Sequence, residues 1–328
     1  MLYIESESLD PYFNLAMEDY VFSNLAKAEP CLILWRNSKT IVVGKYQNTA
    51  EEINQEYVDV NGISVARRLS GGGAVYHDEG NLNYTLIVNK DDLSEFNFQV
   101  FINPVIKALK RLGIQAEFNG RNDITVNGRK ISGSAQYCKG GRLLHHGCIL
   151  LDSDTAALSN ALRVRKAKIE SKGVKSVRSR VATINDFSEK PISVKEFKHQ
   201  LLNEIFSDQL VHRHCFTKDE IQKINRLRNE KYVKWEWNYG HFADYDIRLE
   251  KKFPAGLVTM SLQVKDARIE KIRIWGDFFG NGDISELENA LVGLPLDNRL
   301  ERYLVRLDVP FYMNGIGARD LFEMLMYQ

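Results

Sequence analysis

The run Arg67-Arg68-Leu69-Ser70-Gly71-Gly72-Gly73 is the part of this chain best suited to hold an anion. Consecutive glycines let successive backbone N–H groups point into one concavity. A guanidinium adds a planar, permanent charge that suits phosphate. The spacing matches neither GxxxxGK[ST] nor GxGxxG, which excludes a P-loop and a dinucleotide fingerprint. By itself the loop reads equally well as a plain turn.

A second candidate is the hairpin around Asn127-Gly128, since Asn-Gly is a strong tight-turn signal. A turn there sets Thr125 opposite Lys130, Ile124 opposite Ile131 and Asp123 opposite Ser132. Asp123, Thr125, Lys130 and Ser132 then share a polar face, and a carboxylate comes within reach of an ammonium. On a wet surface such a pair contributes under about 1 kcal/mol. The small residues of "SGSA" that follow suggest instead that something approaches the ribbon closely.

Two further groupings carry chemistry. "RVRKAKIESKGVKSVRSR", Arg163 to Arg180, holds eight Lys/Arg and one Glu. It reads as a solvated loop, a phosphate-facing lid, a nucleic-acid patch or a docking surface for an acidic protein. His145, His146 and Cys148 share one strand, but no neighbour in sequence lowers the thiol pKa, so Cys148 is disfavoured as a nucleophile.

The elements that must position these residues follow from periodicity. "LYIES" is a strand. Asp10-Pro11 caps a helix with Phe13, Met17, Tyr20 and Val21 on its apolar side, and Glu18 and Asp19 on the other. "CLILWR" and "TIVVGKYQ" read as a strand pair, and "ISVARR", "AVYH" and "LNYTLIV" as strands around the glycine loop. "VFINPVIKALKRLG" is a helix stopped by Gly113. "RLLHHGCILLD" is a buried strand, and Ser193 to Glu230 is helical. "KYVKWEWNYGHFAD" reads as a junction, followed by three strands and two helices. The expected fold class is α/β (an α+β mixed sheet), with domains at 1–242 and 243–328.

Composition limits the rest. The 328 residues are 44% hydrophobic and 27% charged, with a net charge of +1, so a dedicated nucleic-acid binder is not expected. No apolar run reaches the length of a membrane span, and "MLYIESESLDPYF" lacks the pattern of a secretory signal. The four cysteines, Cys31, Cys138, Cys148 and Cys215, form no metal-ligand spacing. They are expected to be small buried side chains, reduced in a cytoplasmic protein.

"RRLSGGGAVYHDEGN", "GRNDITVNGRKISGSAQ", "LLHHGCILLD" and "SKGVKSVRSRV", in this order, resemble the successive signatures of the lipoate–protein ligase family. The resemblance runs through nearly the whole chain. It implies a biotin-ligase-like catalytic domain with a small C-terminal accessory domain, and activation of lipoate by Mg-ATP to lipoyl-AMP. The lipoyl group then passes to a lysine of a carrier domain, as in 2-oxoacid dehydrogenase acyltransferase subunits or the glycine cleavage H protein. Carried over residue by residue, Arg68 holds phosphate and Gly73, Ala74, Val75 and Tyr76 line the nucleotide site. Lys130 touches both the lipoate carboxyl and the α-phosphate. Asp123 contacts nucleotide or Mg²⁺, while Ser70 and His146 lie near the lipoyl pocket. Neither membrane nor nucleic acid is implied as a partner. The enzyme alternative, an ATP-independent octanoyl or lipoyl transferase, needs an acyl-carrying cysteine just before "DITV". Gly120, Arg121 and Asn122 stand there instead.

Overall fold

Asp10 accepts a hydrogen bond from the Tyr12 amide, and Pro11 opens helix α1 (Pro11–Asn24) with its φ already near the helical value. The computed structural model describes residues 1–25, 29–89, 98–120, 122–163, 180–206, 211–240 and 247–326. Most of α1 is buried, because it lies between two sheets and packs Leu15, Met17 and Val21 against both.

The larger sheet contains β1 (Leu2–Glu5), β2 (Cys31–Trp35), β6 (Asn81–Asn89), β7 (Glu117–Phe118), β8 (Asp123–Val126), β9 (Arg129–Lys139), β10 (Arg142–Leu150) and β11 (His212–Arg213). Its order is β11-β1-β2-β6-β10-β9-β8-β7, with β1 parallel to both neighbours and the other pairs antiparallel. A second sheet has β3 (Thr40–Val43) between β4 (Ser64–Arg67) and β5 (Val75–His77). So "CLILWR" and "TIVVGKYQ" do not pair: β2 joins the large sheet and β3 the small one. The short stretch between them sends the chain across α1 from one layer to the other.

The stretch after Ser193 is helical over Val194–Phe206 and Lys218–Leu227, but β11 intervenes and extends the large sheet. The junction is also more than a connector. A short helix, Trp235–Asn238, locks onto the end of β4, where Asn238 Oδ1 accepts from the Arg67 amide and Trp237 Nε1 donates to the Arg67 carbonyl.

Beyond residue 246, an antiparallel meander of β12 (Ile247–Phe253), β13 (Gly256–Lys265) and β14 (Arg268–Gly276) carries helices Ile284–Leu291 and Ala318–Met326 on a separate core. Two short helices, Leu300–Leu304 and Val309–Tyr312, have no clear periodicity in sequence. This unit seats directly on the first. The Tyr46 and Phe278 rings stack 5.0 Å apart, and the Gly72 amide donates to the Phe278 carbonyl at 3.2 Å. Gly72 sits at φ +88°, which strains any side chain, and a β-carbon there would crowd Arg68 Nη2 at 3.1 Å and the Phe279 ring at 3.2 Å.

Candidate active site

The hairpin turns at Asn127-Gly128, but a bulge at Ile131 alters its far end. Thr125 faces Lys130 as expected, while Ile124 faces Ser132 and Asp123 faces Gly133. Ser132 therefore leaves the polar face and is fully buried. Lys130 and Asp123 still meet, with Nζ 2.7 Å from Oδ1. Gly133 leaves the room for this, since a β-carbon there would lie 2.8 Å from Lys130 Nζ.

Cross-strand pairing extends this point into a row over five strands: Asp123, Gly133, Cys148, Asn83 and Trp35. The next row on the same face holds Ala135, His146 and Thr85. Gly133, Cys148, Asn83 and Trp35 of the first row, with Ala135 and His146 of the second, form the floor of a cavity of about 100 Å³, walled by Leu15 and Val42 and closed on one side by Gly72, Gly73, Ala74 and Val75. Of the residues the family resemblance nominates, Arg68, Gly73, Ala74, Val75, Lys130 and His146 line it. Asp123 reaches it through Lys130, and Ser70 through His146. Tyr76 does not: its ring turns the opposite way from Val75 and His77 into the core with Ile41, Val58 and Ile63.

The two arginines are both engaged by the protein's own carbonyls, and only one of them reaches the cavity. Arg67 is buried and donates to the carbonyls of Gly44, Lys45, Gln47, Trp237 and Asn238 and to Thr49 Oγ1. Arg68 donates to Ser70 Oγ and to the carbonyls of Val42, Gly71 and Gly73. Burial lowers both guanidinium pKa values to about 10, so both stay charged at neutral pH. They hold the glycine loop and the junction in shape, with Arg68 alone of the two facing the cavity.

Glu18 is the residue that sequence reasoning missed. Helical spacing sets it on the polar side of α1, yet it is 1% exposed because α1 is covered on both sides. Its Oε1 accepts from Thr85 Oγ1 at 2.6 Å and lies 2.9 Å from His146 Nδ1. His146 Nε2 is hydrogen-bonded to Ser70 Oγ at 2.6 Å. Trp35 Nε1 donates to Thr85 Oγ1, which completes a buried polar chain from the cavity floor to the glycine loop. No signal in the sequence pairs Glu18 with His146, which lies 128 residues away.

Burial raises the Cys148 thiol pKa, and the group rests on the Gly133 carbonyl, which suits a filler better than a nucleophile. Cys31 and Cys138 are likewise buried, but Cys215 is exposed. Residues 164–179 of the basic run lie outside the described residues. The chain leaves toward them at Arg163, whose amide donates to the Glu52 carbonyl, and returns at Ala182, whose amide donates to the Lys130 carbonyl.

An ammonium fixed by a carboxylate at the mouth of an apolar slot, beside a backbone loop, can receive an acid's carboxylate together with a phosphate. Residues 10–206 match the lipoyl protein ligase A/B catalytic domain, and residues 243–325 the bacterial lipoate protein ligase C-terminus. The chain is 45% identical to lipoate–protein ligase 1 of Staphylococcus aureus over 327 residues, covering 99% of this chain and 100% of that one. It is 43% identical to lipoate-protein ligase LplJ of Bacillus subtilis over 330 residues, with coverage of 99% and 100%. Among solved structures, P. falciparum LipL1 in complex with lipoate superposes with a TM-score of 0.78 at 27% identity, covering 94% of each chain. A lipoate-protein ligase A bound with ATP gives 0.62 at 28% identity, covering 73% of this chain and 98% of that one. A bipartite ligase described with its E2 lipoyl domain from Thermoplasma acidophilum gives 0.65 at 29% identity, covering 75% and 98%. The chain belongs to the lipoate–protein ligase family.

Proposed function

We propose that this chain joins lipoate to ATP at Lys130, giving lipoyl-AMP and pyrophosphate, and then passes the lipoyl group to a lysine of a carrier domain. The observation that carries this reading is the Lys130–Asp123 pair, held over Gly133 at the mouth of the apolar cavity and next to the glycine loop. A carboxylate and an α-phosphate repel each other, so bringing them to bonding distance requires cations. Lys130 supplies one, and Asp123 restricts where its ammonium sits. The carboxylate oxygen attacks the α-phosphorus, the bond to the β-phosphate oxygen breaks, and pyrophosphate leaves. The apolar walls exclude water from the resulting anhydride. The carrier amine then attacks the acyl carbon, an amide forms, AMP leaves and one proton is released.

No protein nucleophile enters this scheme, in keeping with the protonated, covered Cys148. Among the described residues no cluster of three or more His, Cys, Asp or Glu could hold a metal. Asp123 is a single hard oxygen donor, which fits a Mg²⁺ held mainly by phosphate and water. When bound, that ion neutralises phosphate charge. Candidate carriers are the acyltransferase subunits of 2-oxoacid dehydrogenases and the glycine cleavage H protein, with the reaction placed in the cytoplasm. Among the described residues no helix is long and apolar enough to cross a membrane.

The test is intact-mass spectrometry of an apo lipoyl domain incubated with this protein, ATP and lipoate. One lipoyl addition that requires ATP is expected. Addition without ATP from an octanoyl donor, through a thioester on this chain, would refute the adenylate route.

A further inference from the structure

Asn83 places an amide in the floor of a cavity whose walls are otherwise largely apolar. It is 2% exposed and stands between Trp35 and Cys148 in the row that ends at Gly133 and Asp123. Its Oδ1 accepts from Asn81 Nδ2 at 2.9 Å, which turns the other half of the amide away from that neighbour. Its Nδ2 has no hydrogen-bond partner among the described residues. A buried donor left in that state destabilises a protein by roughly 1–3 kcal/mol. The neighbouring Trp35 Nε1, by contrast, is already satisfied by Thr85.

Position decides what could satisfy Asn83. Lys130 Nζ overhangs Gly133 on β9, and Asn83 lies on β6, with only β10 between them. Two strand spacings amount to about 9.5 Å. An acid whose carboxylate sits at Lys130 and whose chain follows the row brings its far end to Asn83 if it carries four methylenes and a small ring. A plain alkyl tail of that length offers only C–H groups to the amide. A ring containing sulfur offers lone pairs.

Resting on the lipoate-ligating function proposed above, we infer that Asn83 is a specificity-determining residue, whose Nδ2 donates to a ring sulfur of the lipoyl group. The cavity thereby prefers dithiolane-bearing acids to plain acyl chains of equal length. Cys148, beside it, is a soft and polarizable neighbour for the ring, since its buried thiol stays protonated and does not attack the disulfide. Sulfur is a weak acceptor, so the preference is modest.

Calorimetric titration of the full chain, without ATP, tests this with three acids: lipoate, octanoate and 5-cyclopentylpentanoate, in which both ring sulfurs are replaced by methylenes. The unaltered protein should bind lipoate at least ~5-fold more tightly than the cyclopentyl acid, the scale of one modest hydrogen bond. Asn83→Leu should bring that ratio near one and leave octanoate affinity equal or higher, with thermal melting checking that the variant folds. Should it not fold, the comparison on the unaltered protein decides alone. Equal affinity of the unaltered protein for lipoate and its carbon analogue overturns the inference, as does a folded Asn83→Leu that weakens all three acids in parallel. Carrier lipoylation measured alongside separates the two readings. Selective binding without carrier modification leaves Asn83 in its role and removes ligation; modification with equal affinities does the reverse.

Discussion

Lys130 Nζ and Asp123 Oδ1 meet at 2.7 Å across the face of a bulged hairpin, above the α-carbon of Gly133. The ammonium is a third exposed and its partner less so, which makes this pair a positioning device more than a source of stability. A free lysine would sample many rotamers. Here the carboxylate and the missing side chain at Gly133 select the one that leans over the cavity mouth.

Gly133→Ala therefore tests placement without removing any charge. The new methyl would crowd only the tip of a flexible side chain, so Lys130 moves and the backbone stays. Lipoate-dependent ATP–pyrophosphate exchange should fall ~10–100-fold while the melting temperature shifts by only about a degree or two. Unchanged exchange would mean that the geometry over Gly133 is irrelevant to catalysis.

Lys130→Ala removes the cation itself. Exchange should drop at least ~100-fold, the scale of losing one charge-stabilising donor, with lipoate affinity changing less than ~10-fold. Retention of exchange would dismiss the role assigned to Lys130.

Glu18→Ala leaves Thr85 and His146 without a buried acceptor. Urea unfolding should show a loss of ~2–4 kcal/mol, and Glu18→Gln a smaller one because the amide oxygen still accepts from Thr85. If the alanine variant is as stable as the original, the polar chain from Trp35 to Ser70 contributes no stability.

His77 and His145 are both enclosed. Burial pushes His77 down to about 3 and His145 well below its ordinary range. The folded protein keeps both neutral, while the unfolded chain protonates below about pH 6.5. Stability is thus full above that pH and is lost as the pH falls, with a slope approaching ~1.4 kcal/mol per pH unit for each histidine. Urea midpoints should decline between pH 6.5 and 5, where ordinary carboxylates remain ionised. His77→Gln should flatten the decline, and a flat profile in the original protein would contradict it.

Much of this molecule is legible in its sequence because local signals are strong there. The Asp10-Pro11 cap, the Asn127-Gly128 turn and the Gly113 stop are each set by backbone chemistry within a few residues. The family signatures led to a ligase fold with an accessory domain, and the relatives bear that out. What could not be read was decided by packing between distant elements. Nothing near Glu18 says that α1 would be covered on both sides. The bulge at Ile131 that exchanges Ser132 for Gly133 leaves no mark in the alternation of polar and apolar residues. Arg67 and Arg68 look alike in sequence, whereas Arg67 is absorbed by carbonyls of the Gly44–Gln47 turn and the junction helix, and Arg68, which faces the cavity, by β3 and the glycine loop itself.

The hydrogen bond from the Gly72 amide to the Phe278 carbonyl bears on how such enzymes can be recombined. Because the accessory unit grips the same loop that borders the cavity, exchanging one half of the chain for another's also alters a wall of the cavity. A chimaera keeps this seam only where its donor supplies partners that fit Tyr46, Gly72 and Phe278, and tuning for a new acid must respect that seam as well as the cavity.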